Sequence, residues 1–433
     1  MNLPRLIKLP RLHTFDSFIQ YRDYRFLWTA NFCSNSAQWF QLLTVGWLVQ
    51  GLTVGSSTSA LQVVTVGGIS TLPVLLVGPW GGVLGDRMDR RKLIMVCQAF
   101  MATAAVLFVL LVESGTVQVW HAYAYVLFIG VPLSITRPVR QALIANTVPR
   151  EAFGNAYAAN TFTIAGTRMI GPFFGGVVIA VFGFTWNFLV EAALYTTTIL
   201  VLIPMKTPYR SEARAINQRS PLSSGARSAG RSISPLADLR EGIRFICKEE
   251  RAILNLMLLS LVPNVIMNPV LFLLPVFTSQ ALHRGADVGG YLLAATGFGA
   301  LASAVTIASV GFIIKKGRVV LGSVVVGSVA LILFAHAPWL IMTFTFIILM
   351  SAALNAFRTS EGTLIQLLTP DRLRGRVTGL QAYGQGFVVF TSLLIGWFAG
   401  ISSITIVITC VGGVSLALAI FSLLTSVRVR QLD

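Results

Sequence analysis

Apolar runs of helix length recur through all 433 residues, and few folds can accommodate them. They fall near 26–52, 58–84, 93–112, 118–136, 154–182 and 184–204. After a polar stretch from Lys206 to Arg251 they resume near 252–280, 287–314, 319–335, 339–357, 377–400 and 402–425. A bilayer core of about 30 Å takes roughly 20 residues of helix, so each run is long enough to cross. Membrane-spanning strands would instead alternate apolar and polar residues over segments of about ten. The runs are unbroken, which points to an all-α integral membrane protein of about 12 transmembrane helices. Only 11% of the residues are charged, whereas soluble domains carry about a quarter.

The pattern divides the chain into a cytoplasmic N-terminal segment (1–25), a six-helix bundle (26–204), a cytoplasmic linker (205–251), a second six-helix bundle (252–425) and a cytoplasmic tail (426–433). The first apolar run is too long for a cleaved signal peptide and is expected to be retained. In the linker, dense Ser and Arg between Ser211 and Ser234 predict disorder. Leu239, Ile243 and Ile246 between charges predict an interfacial amphipathic helix over 235–251. The net charge of +17, from 33 basic and 16 acidic residues, is distributed unevenly. Placing the termini and even-numbered connections on one side leaves only Arg168 and Arg284 elsewhere. That asymmetry predicts both termini in the cytoplasm. No single face gathers the basic residues, which argues against nucleic-acid binding.

At a constant offset of 221 residues, Arg137 matches Arg358, Pro149 matches Pro370, Gly154 matches Gly375 and Gly175 matches Gly396. Four coincidences at equivalent topological positions predict two related halves.

Between the second and third runs stand Gly82, Leu84, Asp86, Arg87, Arg90 and Arg91. Their spacing resembles the signature cytoplasmic loop of the major facilitator superfamily, except that Asp89 replaces its second glycine. The resemblance implies a two-bundle major facilitator fold, and a latch at this loop that holds the halves together in the outward-facing state. Thr167, Gly171, Pro172, Gly175 and Gly176 in the fifth run resemble the superfamily's exporter-associated fifth-helix motif. Thr167, Gly171 and Gly175 share one face suited to close packing, and Gly290, Ala294 and Gly297 in the eighth run offer a complementary stripe. Asp238 to Phe245 and Gln366 to Val377 resemble the branch that contains bacterial secretion-type efflux proteins and the enterobactin exporter, and the superfamily's drug:proton antiporters are similar. The resemblance places the protein in a bacterial cytoplasmic (inner) membrane.

Polar groups inside a membrane are costly, so each one is a functional candidate. Asn31, Asn35 and Gln38 form a stripe in the first run; Asn264 and Asn268 pair in the seventh, beside Pro263 and Pro269; Gln381 and Gln385 pair in the eleventh. These amides either contact substrate in a central cavity or hydrogen-bond between helices. Arg168, near the middle of the fifth run, either faces the cavity or makes a structural pair. Glu191 is the one acid clearly within a run, and is a candidate for proton coupling or for structural pairing. Arg137, Arg358, Glu361, Arg374 and Arg376 are assigned to a cytoplasmic salt-bridge network.

The four cysteines and four histidines form no metal-ligand motif, and no nucleophile pair or phosphate-cradling loop appears. Neither an enzyme nor a cofactor is predicted. The sequence therefore predicts a monomeric, proton-coupled exporter of an amphipathic small molecule, drug-like or siderophore-like, working by alternating access. An uptake symporter, or a lipid-handling membrane protein, is the alternative.

Overall fold

The computed structural model describes residues 16–210, 243–247, 250–310, 315–370, 373, 377, 380, 381, 384 and 386–425. Ten of its helices are long and apolar enough to cross a bilayer, and two more complete the set. The first six spans are α1 (Arg22–Leu52), α2 (Ser59–Ile69 and Leu72–Arg87), α3 (Arg90–Glu113), α4 (Val119–Ile144), α5 (Phe153–Phe182) and α6 (Phe184–Leu202). The next are α7 (Arg251–Gln280), α8 (Ala286–Val310), α9 (Lys316–Ala335) and α10 (Leu340–Leu368). The last are α11, described continuously over Val388–Ile401, and α12 (Ile404–Thr425). α1 is the polar exception in composition, and it buries Asn31, Ser34, Ser36 and Gln41 against other helices rather than lipid.

Proline accounts for the irregular backbone. α2 breaks at Ser70 and Thr71, ahead of Pro73, where both hydroxyls donate to the Gly67 and Gly68 carbonyls. α7 passes from an α-helix into a π-helical turn (Val262–Met267), then a 3-10 stretch (Asn268–Leu273), then Leu274–Gln280. Pro263, Pro269 and Pro275 each remove a backbone donor, and so the bend expected at the first two extends through three turns.

The helices follow the apolar runs closely except in α4 and α10. Both continue past their expected ends near 136 and 357, to Ile144 and Leu368. Arg137 therefore lies about two turns inside a span, and Arg358 nearly three, rather than at the margin of a cytoplasmic loop. α4 and α10 begin at Val119 and Leu340, which are separated by the same 221 residues as the sequence repeat.

In the first half, α1 packs on α5 and α6, α3 on α4 and α6, and the second segment of α2 on α4. In the second half, α9 packs on α10 and α12, and α8 on α10. The main contacts between halves are α5 with α8 and the first segment of α2 with α11. Those two contacts are equivalent under the repeat, and they join the two pseudo-symmetric bundles. The linker from 211 to 242 lies outside the described residues. Within the predicted amphipathic helix, residues 243–247 are helical, with Phe245 and Ile246 buried and Ile243 exposed.

Candidate functional site: the cavity between the halves

A cavity of about 320 Å³ lies between the two bundles, lined from α1, α2, α4, α7, α8, α10 and α11. Gln38 and Trp39 of α1, Ser134 and Arg137 of α4, Asn264 and Asn268 of α7, and Arg358 of α10 supply its polar groups. Leu271 and Phe272 are among its apolar walls. The volume is in the range of small-molecule sites.

The long course of α4 and α10 sets the chemistry here. Arg137 presents an exposed side chain to the cavity. Nε of Arg358 donates to Oδ1 of Asn264 at 2.8 Å, and Glu361 lies close enough to Arg358 to act on its charge. Glu361 is fully buried and faced by Ser260 and Gln381, and its Oε1 has no partner among the described residues. These three residues thus occupy the interior of the spans, where the sequence reading had placed a cytoplasmic network. Arg374, Arg376 and Gln385 lie outside the described residues.

Among the other candidates, Gln38 reaches the cavity, and its buried Nε2 has no partner. Asn31 does not line it; Nδ2 donates to Oδ1 of Asn160 on α5 at 2.8 Å, a bond within the first half. Asn35 is half-buried on the same helix, also away from the lining. Arg168 sits beside the cavity, its guanidinium 5.5 Å from the ring centre of Trp39 and its Nε 3.4 Å from Oγ1 of Thr296 on α8. Glu191 is completely buried between α4 and α6, accepting from the Tyr125 hydroxyl at 2.8 Å, while its Oε2 is unpartnered. It does not line the cavity.

The fifth-helix motif works as a two-sided joint. Gly171 and Gly175 press on Trp39, Phe40 and Leu43 of α1. On the adjacent face, Gly176 meets Gly290 of α8 so closely that a Cβ on Gly176 would stand 2.8 Å from the Gly290 Cα. Gly297 meets the Arg168 and Met169 backbone, so Gly290 and Gly297 of the predicted stripe pack as expected. Thr167 turns its hydroxyl back to the Thr163 carbonyl at 2.9 Å, and Pro172 points its carbonyl at Gly290.

The halves also meet beyond this joint. Gly68 meets Ser392, Gly396 meets Leu61 and Gly400 meets the Ser57 carbonyl. Nε2 of Gln50 donates to Oγ of Ser279 at 3.0 Å. All of these lie toward the end that carries the α1–α2, α7–α8 and α11–α12 connections. Nearer the basic end, Gly386 meets Leu75 of the second segment of α2.

The α2–α3 loop stands at that basic end. Asp89, in the glycine's place, has φ −71° and caps α3, accepting from the Arg91 and Lys92 N–H groups. Its other oxygen pairs with Arg210 at 2.5 Å. Partial burial acts to raise the Asp89 carboxyl, but the Lys92 and Arg91 N–H groups and the Arg210 guanidinium outweigh it and hold it below its ordinary value. Arg90 donates to the Gly85 and Ala142 carbonyls and to Asn146, and Arg91 to the Ile203 and Met205 carbonyls. Leu84 is half-buried and Arg87 exposed. The side chains of Gly82 and Asp86 lie outside the described residues. The described contacts of the motif therefore stitch α2 and α3 to α4 and α6 within one half.

Comparison with known proteins agrees with this geometry. The family described as "Transmembrane secretion effector" matches residues 15–433. The enterobactin exporter EntS of Escherichia coli O1:K1 / APEC is 24% identical over 336 residues, covering 77% of this chain and 74% of that protein. The staphyloferrin A transporter of Staphylococcus aureus (strain NCTC 8325 / PS 47) is 25% identical over 183 residues. That match spans 42% of this chain and 45% of the staphylococcal protein. Among solved structures, the inward-open xylose transporter XylE from E. coli superposes with a TM-score of 0.69 at 12% identity, covering 92% of this chain and 95% of that one. A POT family transporter in complex with a thioalcohol-conjugated peptide gives 0.73 at 9% identity, covering 95% and 97%.

Proposed function

The chain belongs to the transmembrane secretion effector family, multi-pass membrane transporters of the major facilitator type, and we propose that it exports an amphipathic small molecule by proton-coupled antiport. The observation that carries this reading is a mixed polar and apolar cavity between two equivalent bundles. A transporter needs a site that each end can reach in turn, and two bundles rocking about a shared cavity provide it. With the basic end in the cytoplasm, a placement that the charge asymmetry supports, the cavity takes cargo from that side and passes it to the other as the bundles rock. The fifth-helix motif and the exporter among its relatives support outward movement. Siderophores of the kinds named for the two relatives, enterobactin and staphyloferrin A, head the list of cargoes to try.

Protons are the proposed coupling ion, with Glu191 and Glu361 as the two buried carboxyls able to carry them. A bacterial cytoplasmic membrane and a monomeric working unit complete the proposal. Everted vesicles with an acid interior test it. They should accumulate the cargo and release it when an uncoupler collapses the gradient. Accumulation only in right-side-out vesicles, or accumulation indifferent to the gradient, would overturn it.

A further inference from the structure

Among the described spans, the charged groups four or more residues from a helix end are Arg137, Arg140, Arg168, Arg358, Glu191 and Glu361. Cations thus outnumber acids in a region where charge is costly. Two of the arginines face the same space from opposite halves. Arg137 and Arg358 both line the cavity, at positions that the 221-residue repeat makes equivalent.

Their surroundings differ in a useful way. Arg358 is partly engaged, by Asn264 and by the charge of Glu361. Arg137 is exposed to the cavity and has no hydrogen-bond or ion-pair partner among the described residues. Gln38 adds a buried Nε2 donor with no partner among the described residues. Among the described residues, no carboxylate lines the cavity. Its described charged lining is Arg137 and Arg358, beside an apolar wall that includes Phe272. Guanidinium groups hold carboxylates and related oxyanions through paired, charge-assisted hydrogen bonds. Two such groups on opposite walls suit a molecule with an anionic group at each side of an apolar body.

We propose that Arg137 and Arg358 form a two-sided anion clamp, and that the cargo is an amphipath bearing at least two carboxylate groups. Arg137 binds the first group directly. Arg358 binds the second, with Asn264 holding its guanidinium in place. The clamp deepens the transporter reading above, and rests on it only for the cargo's movement.

The test uses the full-length protein in nanodiscs and the linear dicarboxylates from adipate to dodecanedioate as probes, with binding read by calorimetry. The matching monocarboxylates and dimethyl esters serve as controls. The dicarboxylates should bind best at one chain length, at least about tenfold tighter than the monocarboxylate of that length. Arg137→Gln and Arg358→Gln should each remove that preference, while Arg137→Lys and Arg358→Lys retain part of it. A wild type that binds the mono- and dicarboxylates equally overturns the clamp, and needs no variant to fold. So does a preference that persists in both glutamine variants with unchanged melting temperatures. Flux in everted vesicles separates this from the exporter reading. If esters move as fast as dicarboxylates, the clamp fails and the transporter stands. If dicarboxylates bind in an arginine-dependent way but nothing moves, the exporter reading fails and the clamp stands.

Discussion

At Asp89 a single residue departs from the superfamily's loop pattern, and its contacts explain what the departure supplies. A glycine there would free the turn, whereas Asp89 keeps an extended backbone and caps α3. Removing such a cap costs about 1 kcal/mol, so Asp89→Ala should lower the melting temperature measurably at neutral pH. The carboxyl is held below its ordinary value, so its contribution is fully present above the unfolded pKa of about 4 and is lost as pH falls through the lower folded value. The melting temperatures of variant and wild type should therefore converge only in acid; a constant gap down to strongly acidic pH would refute the cap's ionic part. The sequence shows Asp89 only as the replacement of a glycine; its partnership with Arg210 was not legible, because the two residues lie 121 positions apart in the chain. The same holds for the two buried acids. Glu191 was visible within an apolar run; Glu361 was not, because its neighbours made it resemble a loop residue. Position now separates them. Glu361 adjoins a cavity-lining arginine, and Glu191 is enclosed with Tyr125 away from the cavity. Glu361→Gln should flatten the pH dependence of transport, while Glu191→Gln should lower stability and leave the pH profile in place. Proteoliposome flux measured across pH decides between them, and the reverse pattern would return the coupling role to Glu191.

For whole helices, the apolar runs located every span, and the two large errors share a cause. Arg137, Arg140 and Pro138 in α4, and Arg358 and Glu361 in α10, interrupt hydropathy without interrupting the helix. Hydropathy reports what faces lipid; these residues face a cavity or the protein interior, so the helix continues where the signal ends. The small-residue stripes were legible for the opposite reason, since close helix packing leaves its mark directly in residue size. Gly290 shows how tight the result is: a Cβ there would stand 2.6 Å from both the Gly176 Cα and the Pro172 carbonyl oxygen. Those are backbone atoms and cannot turn aside. Gly290→Val should therefore disfavour this closed joint by about 1–3 kcal/mol, the usual scale of overpacking. Spin labels on α5 and α8 at the closed end should report a longer distance in the variant, together with slowed transport. An unchanged distance distribution would show that the joint yields more easily than its backbone contacts indicate.

Across the whole molecule, the two inter-half joints, α5 with α8 and α2 with α11, hold the end opposite the basic one shut. The loop from Gly82 to Arg91 stands at the basic end. Its described contacts run to α4 and α6 of its own half, which is consistent with a latch that engages only when that end closes. The charge asymmetry that was legible from the start then acquires a second meaning, because the basic end is the one proposed both to face the cytoplasm and to open and close. Alternating access requires the joint at the opposite end to separate in every cycle, and a covalent tie across it tests that requirement. Ser57 and Gly400 face each other there, a Cβ on Gly400 standing 3.3 Å from the Ser57 carbonyl. Ser57→Cys with Gly400→Cys, in a background with the exposed Cys247 and Cys410 replaced, should oxidise to a disulfide across the halves. The tie should abolish net flux while leaving dicarboxylate binding from the basic side intact, and reduction should restore transport. Full flux in the oxidised protein would mean that this seam never opens, and that cargo leaves by a route other than the cavity's closed end.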